Sequence, residues 1–134
     1  MGPFVLDASI AASWAFDDEE SATADLCLEW LRRGSAQVPV VFWFEIRSAL
    51  LAGERRNRLQ ASEAEASLAE LDHLPLHTDW RIPDVAAMDL ARIHRLNICD
   101  AVYLELALRL KLPLATLDGR LARAAATEGI GLVG

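Results

Sequence analysis

The chain has 134 residues, of which 53% are hydrophobic and 25% are charged, so it is expected to form one soluble globular domain and is too short for two cores. It contains no apolar run of the roughly 18 residues that span a bilayer and no basic N-terminal stretch typical of a signal peptide, so we expect a cytoplasmic protein without membrane contact. The net charge of −7 argues at first against a nucleic-acid partner, but the charge is unevenly distributed.

Short apolar runs alternate with helical patterns along the first half of the chain. A run of buried-strand character ends at Asp7, which would be the N-cap of an alanine-rich helix. Gly53 is expected to end the third helix, because glycine readily adopts the left-handed conformation found there. The predicted elements are a strand over 3–6, helices over 8–16 and 21–33, a strand over 37–40 and a helix reaching residue 51.

The second half repeats the alternation. Pro83 suits the first turn of a helix, and Asp100 is expected to cap the helix after it. The predicted elements are a helix over 61–71, a weak strand after 74–76, a helix from 83 to about 96, a helix over 101–110, a strand over 112–117, a helix over 120–126 and a strand over 129–133. This order predicts an α/β fold, a three-layer α/β/α sandwich with a central parallel sheet.

Four carboxylates are expected at one edge of that sheet. Asp7 and Asp118 directly follow strands, and ligands of parallel sheets bind beyond the carboxyl ends of the strands. Asp7, Asp100 and Asp118 all precede predicted helices, so each is equally explained as an N-cap. Capping cannot explain Glu45, which lies in an otherwise apolar turn of helix and needs Arg47, surface exposure or a shared cation as its partner.

The chemistry of this set favours a hard cation. Converging carboxylates repel one another unless a positive charge lies between them, and an all-oxygen cluster suits Mg²⁺ or Mn²⁺. Ser9 lies two residues after Asp7 and Thr116 two before Asp118, so both hydroxyls are candidates to position a carboxylate or a bound water. Cys27 and Cys99 are far apart without histidine at ligand spacing, and we expect two buried free thiols. From the residues alone, a metal-dependent phosphoryl site and a set of helix caps remain comparable explanations.

The basic residues are nearly all arginine, the side chain whose fork fits phosphate oxygens. Residues 1–31 hold seven acids and no base, whereas residues 32–58 hold six arginines against two acids. The arginines of residues 32–58 are therefore candidate phosphate ligands, together with Arg92, Arg95, Arg120 and Arg123. An unevenly charged, solvated surface explains the distribution equally well.

Four segments, in order, resemble the signature segments of PIN domains, and the resemblance covers essentially the whole chain, residues 1–134. They are Val5-Leu6-Asp7-Ala8-Ser9, Pro39 with Glu45-Ile46 and Leu50, Asp100 to Ala107, and Leu114-Ala115-Thr116-Leu117-Asp118 with Leu121. The resemblance implies an endoribonuclease that cleaves single-stranded or looped RNA, such as tRNA or rRNA loops, with Mg²⁺ or Mn²⁺. It also implies that the four acids Asp7, Glu45, Asp100 and Asp118 hold the metal.

The small size further resembles VapC-type toxins. That likeness implies a cognate VapB-type antitoxin that keeps the enzyme inactive, and a homodimer. The apolar helix that contains Trp14 is followed by Asp17-Asp18-Glu19-Glu20 and could face either partner. One departure is Cys99, which stands before Asp100 where these toxins commonly have an aromatic residue.

Two other functions are weighed against the nuclease. A receiver-like signalling domain also gathers acids at strand ends, but it needs an adjacent acid pair after the first strand and a lysine at a later strand end. Here Ala8 follows Asp7, and the single lysine, Lys111, precedes a strand. A non-catalytic RNA- or protein-binding module of the same fold is the third possibility, although degenerate members would usually have lost an acid.

Overall fold

The structure is a computed structural model that describes residues 2–134. Within those residues four strands alternate with seven helices. The strands are β1 (Phe4–Leu6), β2 (Ala36–Pro39), β3 (Leu76–Asp79) and β4 (Leu114–Ala115). The helices are α1 (Ala8–Trp14), α2 (Ala22–Leu31), α3 (Val41–Arg55), α4 (Ala61–Asp72), α5 (Val85–His94), α6 (Ile98–Leu110) and α7 (Gly119–Thr127).

The four strands form one parallel sheet in the order β3-β2-β1-β4. Parallel strands need crossover connections, and the helices between the strands provide them. The predicted α/β class with a central parallel sheet is confirmed. The strand predicted over 129–133 is reduced to one bridge, in which Leu132 pairs with Leu114.

The central strand β1 is the most buried part of the sheet. Phe4, Val5 and Leu6 are all inaccessible to solvent, as expected for a strand with neighbours on both edges and helices on its faces. The ring of Trp30 packs edge-on against Phe4 with centroids 5.7 Å apart. Strand β1 therefore holds the residue that follows it, Asp7, in a fixed position at the carboxyl edge of the sheet.

Several helix boundaries differ from the prediction, and two of the differences have a clear structural cause. Gly53 lies inside α3 because it packs directly against Phe16, and a Cβ at this position would lie 2.5 Å from the Phe16 ring. The glycine thus serves close packing rather than helix termination. Helix α5 begins later than predicted, because Asp84 is its N-cap and accepts a hydrogen bond from the Ala86 amide, so Pro83 precedes the helix.

No helix in residues 2–134 combines the length and apolar character needed to cross a bilayer.

Candidate active site

Asp7 occupies the N-cap position of α1, but its carboxylate does not cap the helix. The side chain is 5% exposed, and its Oδ2 atom accepts hydrogen bonds from Ser9 Oγ at 2.7 Å and from Thr116 Oγ1 at 2.6 Å. An N-cap would instead accept from amides of the first turn. The capping explanation therefore fails for Asp7, and two hydroxyls fix its carboxylate at the end of β1.

The same two hydroxyls join the chain segments on either side of the site. Ser9 Oγ accepts a hydrogen bond from the Leu117 amide at 2.9 Å, and Thr116 Oγ1 accepts from the Asp118 amide at 3.0 Å. Each hydroxyl thus donates to Asp7 and accepts from the loop after β4. Ser9 and Thr116 lock the start of α1 to the segment that presents Asp118.

Glu45 lies on α3, where it is half-buried, and its partner is a residue that the sequence analysis did not single out. The buried Tyr103 hydroxyl donates to Glu45 Oε1 at 2.7 Å and accepts from the Ala8 amide at 3.3 Å. Arg47, considered as a partner, instead donates to the Trp43 carbonyl oxygen. Tyr103 is the only tyrosine of the chain and lies in an apolar helix. This single phenol in an apolar helix was the sequence feature that could have marked it as a site residue.

The predicted cap at Asp100 is wrong. Helix α6 begins at Ile98, and its N-cap is Asn97, whose Oδ1 accepts from the Asp100 amide at 2.8 Å. Asparagine and aspartate are equally good N-caps, so tertiary packing decides which of the two residues begins the helix. Asp100 thus lies in the first turn with its carboxylate half-buried. By contrast, Asp118 does cap α7, because its Oδ1 accepts from the Arg120 amide at 2.9 Å.

The four predicted acids influence one another electrostatically. Burial raises the pKa of Asp7, and the nearby charge of Asp118 adds to the shift. Burial likewise raises the pKa of Glu45, with added repulsion from Asp7 and Asp100. The pKa of Asp100 is raised by burial and then by Asp118 and Asp7. The fold therefore brings the four carboxylates to one edge of the sheet, where they form a like-charge cluster.

The donor atoms of this cluster suit a hard divalent cation. Its carboxylates and hydroxyls provide oxygen only, the ligand class of Mg²⁺ and Mn²⁺. The half-buried thiol of Cys99 lies beside them, and burial together with the charges of Glu45 and Asp100 raises its pKa, which favours the neutral thiol over the thiolate. Within residues 2–134, no three His, Cys, Asp or Glu side chains already stand close enough to enclose an ion. The residues fit the cation by chemistry and charge.

Replacing Tyr103 with phenylalanine tests whether this residue positions Glu45. The substitution leaves the Glu45 carboxylate and the Ala8 amide without their partner, and we expect the free energy of unfolding to fall by about 1–3 kcal/mol. Any chemistry that depends on the acid cluster should be weakened as well, because Glu45 is no longer oriented. Ser13→Ala is the matched control, since it removes a buried hydroxyl that donates to the Ile10 carbonyl away from the acids. Equal losses of activity in the two variants would contradict a positioning role for Tyr103.

Comparison with known protein families identifies relatives over nearly the whole chain. The PIN domain family model matches residues 4–127. Ribonuclease VapC3 of Mycobacterium tuberculosis is 35% identical over 123 residues, which cover 90% of this chain and 85% of the relative. The four acids that the structure brings together all lie within the matched range of the family model.

Solved structures share the fold at low sequence identity. PAE2754 from Pyrobaculum aerophilum superimposes with a TM-score of 0.72 at 22% identity, covering 91% of this chain and 84% of that one. VapBC2 from Rickettsia felis, solved bound to a DNA fragment from its promoter, gives 0.63 at 11% identity, with 98% and 97% covered. FitAcB from Neisseria gonorrhoeae gives 0.61 at 12% identity, with 100% and 97% covered. At these identities the three structures bear on the fold alone.

Proposed function

The chain belongs to the PIN domain family and to its VapC-type ribonucleases, and from this premise we propose that it is a Mg²⁺- or Mn²⁺-dependent endoribonuclease toxin. The observation that supports catalysis most directly is Asp7, a buried carboxylate that two hydroxyls hold among three other acids. Helix capping explains only Asp118 of the four. The proposed substrate is an RNA phosphodiester bond in a structured RNA, such as a tRNA or rRNA loop. A receiver-like domain is not supported, since Lys111 ends α6 instead of a strand.

In the proposed mechanism Asp7, Glu45, Asp100 and Asp118 would hold the cation. When bound, such an ion activates water and stabilises the charge that develops on the phosphodiester. The chain's own hydroxyls set the geometry: Ser9 and Thr116 orient Asp7, and Tyr103 orients Glu45. These hydrogen bonds preorganise Asp7 and Glu45 before any ligand binds, which lowers the cost of reorganising these two carboxylates.

Metal binding is tested by a measurement that is independent of activity. A cation held by the cluster binds the folded state only, and at 100 times its Kd it should stabilise the protein by about 2.7 kcal/mol. We expect MgCl₂ or MnCl₂ to raise the Tm of the wild type, and Asp100→Asn to abolish this rise. The exposed Asp17→Asn is the control and should keep the rise. The same preparations are incubated with a mixed RNA pool to measure cleavage. A Tm that does not change when either metal is added would contradict the proposed site.

The structure suggests a docking place for the antitoxin. A largely apolar cavity of about 190 Å³ opens between α1, α2, α3 and α4. It is lined by Ala11, Trp14, Ala15, Leu28, Ile46, Leu50, Ser67, Glu70, Leu71 and Leu74. Beside this cavity, the acidic loop of residues 17–20 is partly neutralised, because Arg58 donates hydrogen bonds to both Asp18 and Glu19. We propose that an amphipathic antitoxin helix inserts an apolar anchor here, as helices do in hydrophobic grooves.

A different surface suits a second copy of the chain. Trp80, Ile82 and Val85 are 73%, 80% and 72% exposed, and Met88 lies one turn after Val85 on α5. Such a concentration of large exposed apolar side chains marks an interaction surface in soluble proteins. We propose that this surface, Trp80 to Met88, forms the homodimer contact, which leaves the Trp14 cavity to the antitoxin.

A further inference from the structure

Three arginines converge on one pocket beside the acid cluster. A cleft of about 370 Å³ is lined by His94, Arg95, Arg120, Arg123, Ala124 and Thr127. Arg120 and Arg123 are three residues apart on α7 and so lie on the same face of the helix, whereas Arg95 comes from the C-terminal end of α5. Two elements remote in sequence thus contribute guanidinium groups to one cleft.

This arginine cleft adjoins the proposed catalytic centre. Helix α7 starts from Asp118, and Arg123 reaches back over the first turn, because a Cβ at Gly119 would lie 3.2 Å from Arg123 Nη1. On the other side, Arg95 directly precedes the turn whose Asn97 caps α6 and thereby places Asp100. Both walls of the cleft are therefore continuous with segments that carry site carboxylates.

The three guanidinium groups are not used inside the protein. Four other arginines are neutralised locally: Arg32 by Glu29, Arg58 by Asp18 and Glu19, Arg92 by Asp89, and Arg109 by Asp79 and Glu105. Within residues 2–134, Arg95, Arg120 and Arg123 have no carboxylate within 4.0 Å. The carboxylate beside the cleft, Glu128, is engaged by His94 Nε2 at 2.6 Å. Other arginines of the described residues also lack an ion pair, so what distinguishes these three is that they line one cleft and are available to an external anion.

We propose that Arg95, Arg120 and Arg123 form a phosphate-binding subsite that holds the RNA backbone next to the scissile bond. This inference rests on the proposed nuclease function and specifies where its substrate binds. The acid cluster alone repels a polyanion, so the RNA backbone needs positive charge within about one nucleotide of the site. Arginine guanidinium groups provide that charge, and their geometry matches phosphate oxygens. An acidic protein segment is the competing ligand, but Ala124 is the one apolar residue among those that line the cleft, so it offers no pocket for large apolar peptide side chains.

The test measures binding of a fluorescently labelled single-stranded RNA pool in EDTA, where cleavage does not occur. Each phosphate contact contributes about 0.7 to the slope of log K against log salt concentration. The triple variant Arg95→Gln, Arg120→Gln and Arg123→Gln should lower this slope by about 1 to 2 and weaken binding several-fold at low salt. Glutamine keeps much of the side-chain length and polarity, and circular dichroism checks the fold.

A matched triple variant controls for loss of net charge. Arg33 follows α2 just before β2 and so lies at the opposite edge of the sheet, and Arg55 and Arg56 end α3, about 20 Å along the helix from its start at the site edge. Changing these three to glutamine removes the same charge and should leave the slope close to that of the wild type.

The outcomes separate the subsite from the nuclease function. If both triple variants bind alike, or if the first loses affinity only for an acidic protein partner, the subsite is wrong. Wild-type cleavage of the RNA pool in Mg²⁺ would then still support the enzyme. If the wild type cleaves no RNA in either metal while the slope depends on the cleft arginines, the subsite stands and the nuclease proposal fails.

Discussion

Asp7→Asn is expected to abolish RNA cleavage while leaving the protein folded. The carboxylate is the most buried of the four, and its loss removes a charge from the proposed cation site. Removing one preorganised electrostatic group typically costs an enzyme about 100- to 1000-fold in rate, and a metal ligand should cost at least as much. Asparagine keeps an oxygen that can still accept from Ser9 and Thr116, so the surrounding hydrogen bonds need not be lost. Single-turnover cleavage of a mixed RNA pool measures the effect.

The same substitution should maintain or raise stability in the absence of metal. Burial raises the pKa of Asp7, so the folded state favours the protonated acid. A carboxyl whose pKa is raised on folding makes the folded state less stable as pH rises through that pKa. The metal-free wild type should therefore lose stability between acidic and neutral pH, and Asp7→Asn should lose less. Urea unfolding in EDTA at a series of pH values from about 4, near the ordinary carboxyl pKa, up to 7 tests this sign, with the exposed Asp17→Asn as control.

Two results would contradict the assignment. Full cleavage by Asp7→Asn in Mg²⁺ would exclude Asp7 as a metal ligand. A variant that unfolds at neutral pH would show that the carboxylate is needed for folding. Asp100→Asn provides an independent check, because Asn97 already caps α6 and the substitution cannot act through the cap.

The sheet and its acidic edge were predictable because they depend on short-range patterns. Apolar runs followed at once by Asp7 and Asp118 indicate a parallel sheet with acids at its carboxyl edge. In the structure Asp7 directly follows β1, whereas β4 is shorter than the predicted strand over 112–117 and ends at Ala115, three residues before Asp118. Ser9 and Thr116 were also predictable as candidates, since their spacing from those acids is local. Features that depend on strand order and local spacing can therefore be predicted from the sequence alone.

The features that were missed depend on contacts between distant residues. Tyr103 meets Glu45 across 58 positions, and no local pattern indicates that pairing. Gly53 indicated a helix end, but the ring of Phe16 packed against it determines its role. The sequence alone does not distinguish Asp100 from Asn97 as the N-cap of α6, and the packing of α6 makes the earlier residue, Asn97, the cap. Local propensity is overridden in each case by tertiary packing.

Val85→Asp is expected to convert a dimer into a monomer. Val85 is 72% exposed at the centre of the Trp80 to Met88 surface. A charge buried there without a partner is costly, and loss of a hot-spot contact alone weakens binding by about 2 kcal/mol, roughly 30-fold in Kd. Because the side chain is exposed in the monomer, the fold should be retained. Sedimentation velocity across a concentration series measures the change, and the exposed Glu65→Asp is a neutral control on α4.

Trp14→Ala should leave the dimer intact and weaken antitoxin binding, since Trp14 lines the cavity that opens between α1, α2, α3 and α4 and its indole Nε1 donates to the Ala24 carbonyl. The variant is expected to remain dimeric and to bind the cognate antitoxin, identified as the protein that suppresses its toxicity on co-expression, with a loss of about 2 kcal/mol or more. Its Tm must be measured as well, because part of the ring packs on the core. If Trp14→Ala is monomeric and binds antitoxin normally while Val85→Asp stays dimeric, the two surfaces have been assigned to the wrong partners. The distinction is physical: a concave cavity that opens at the surface accepts an inserted side chain, whereas a broad exposed surface needs an equally broad one, and a second copy provides it.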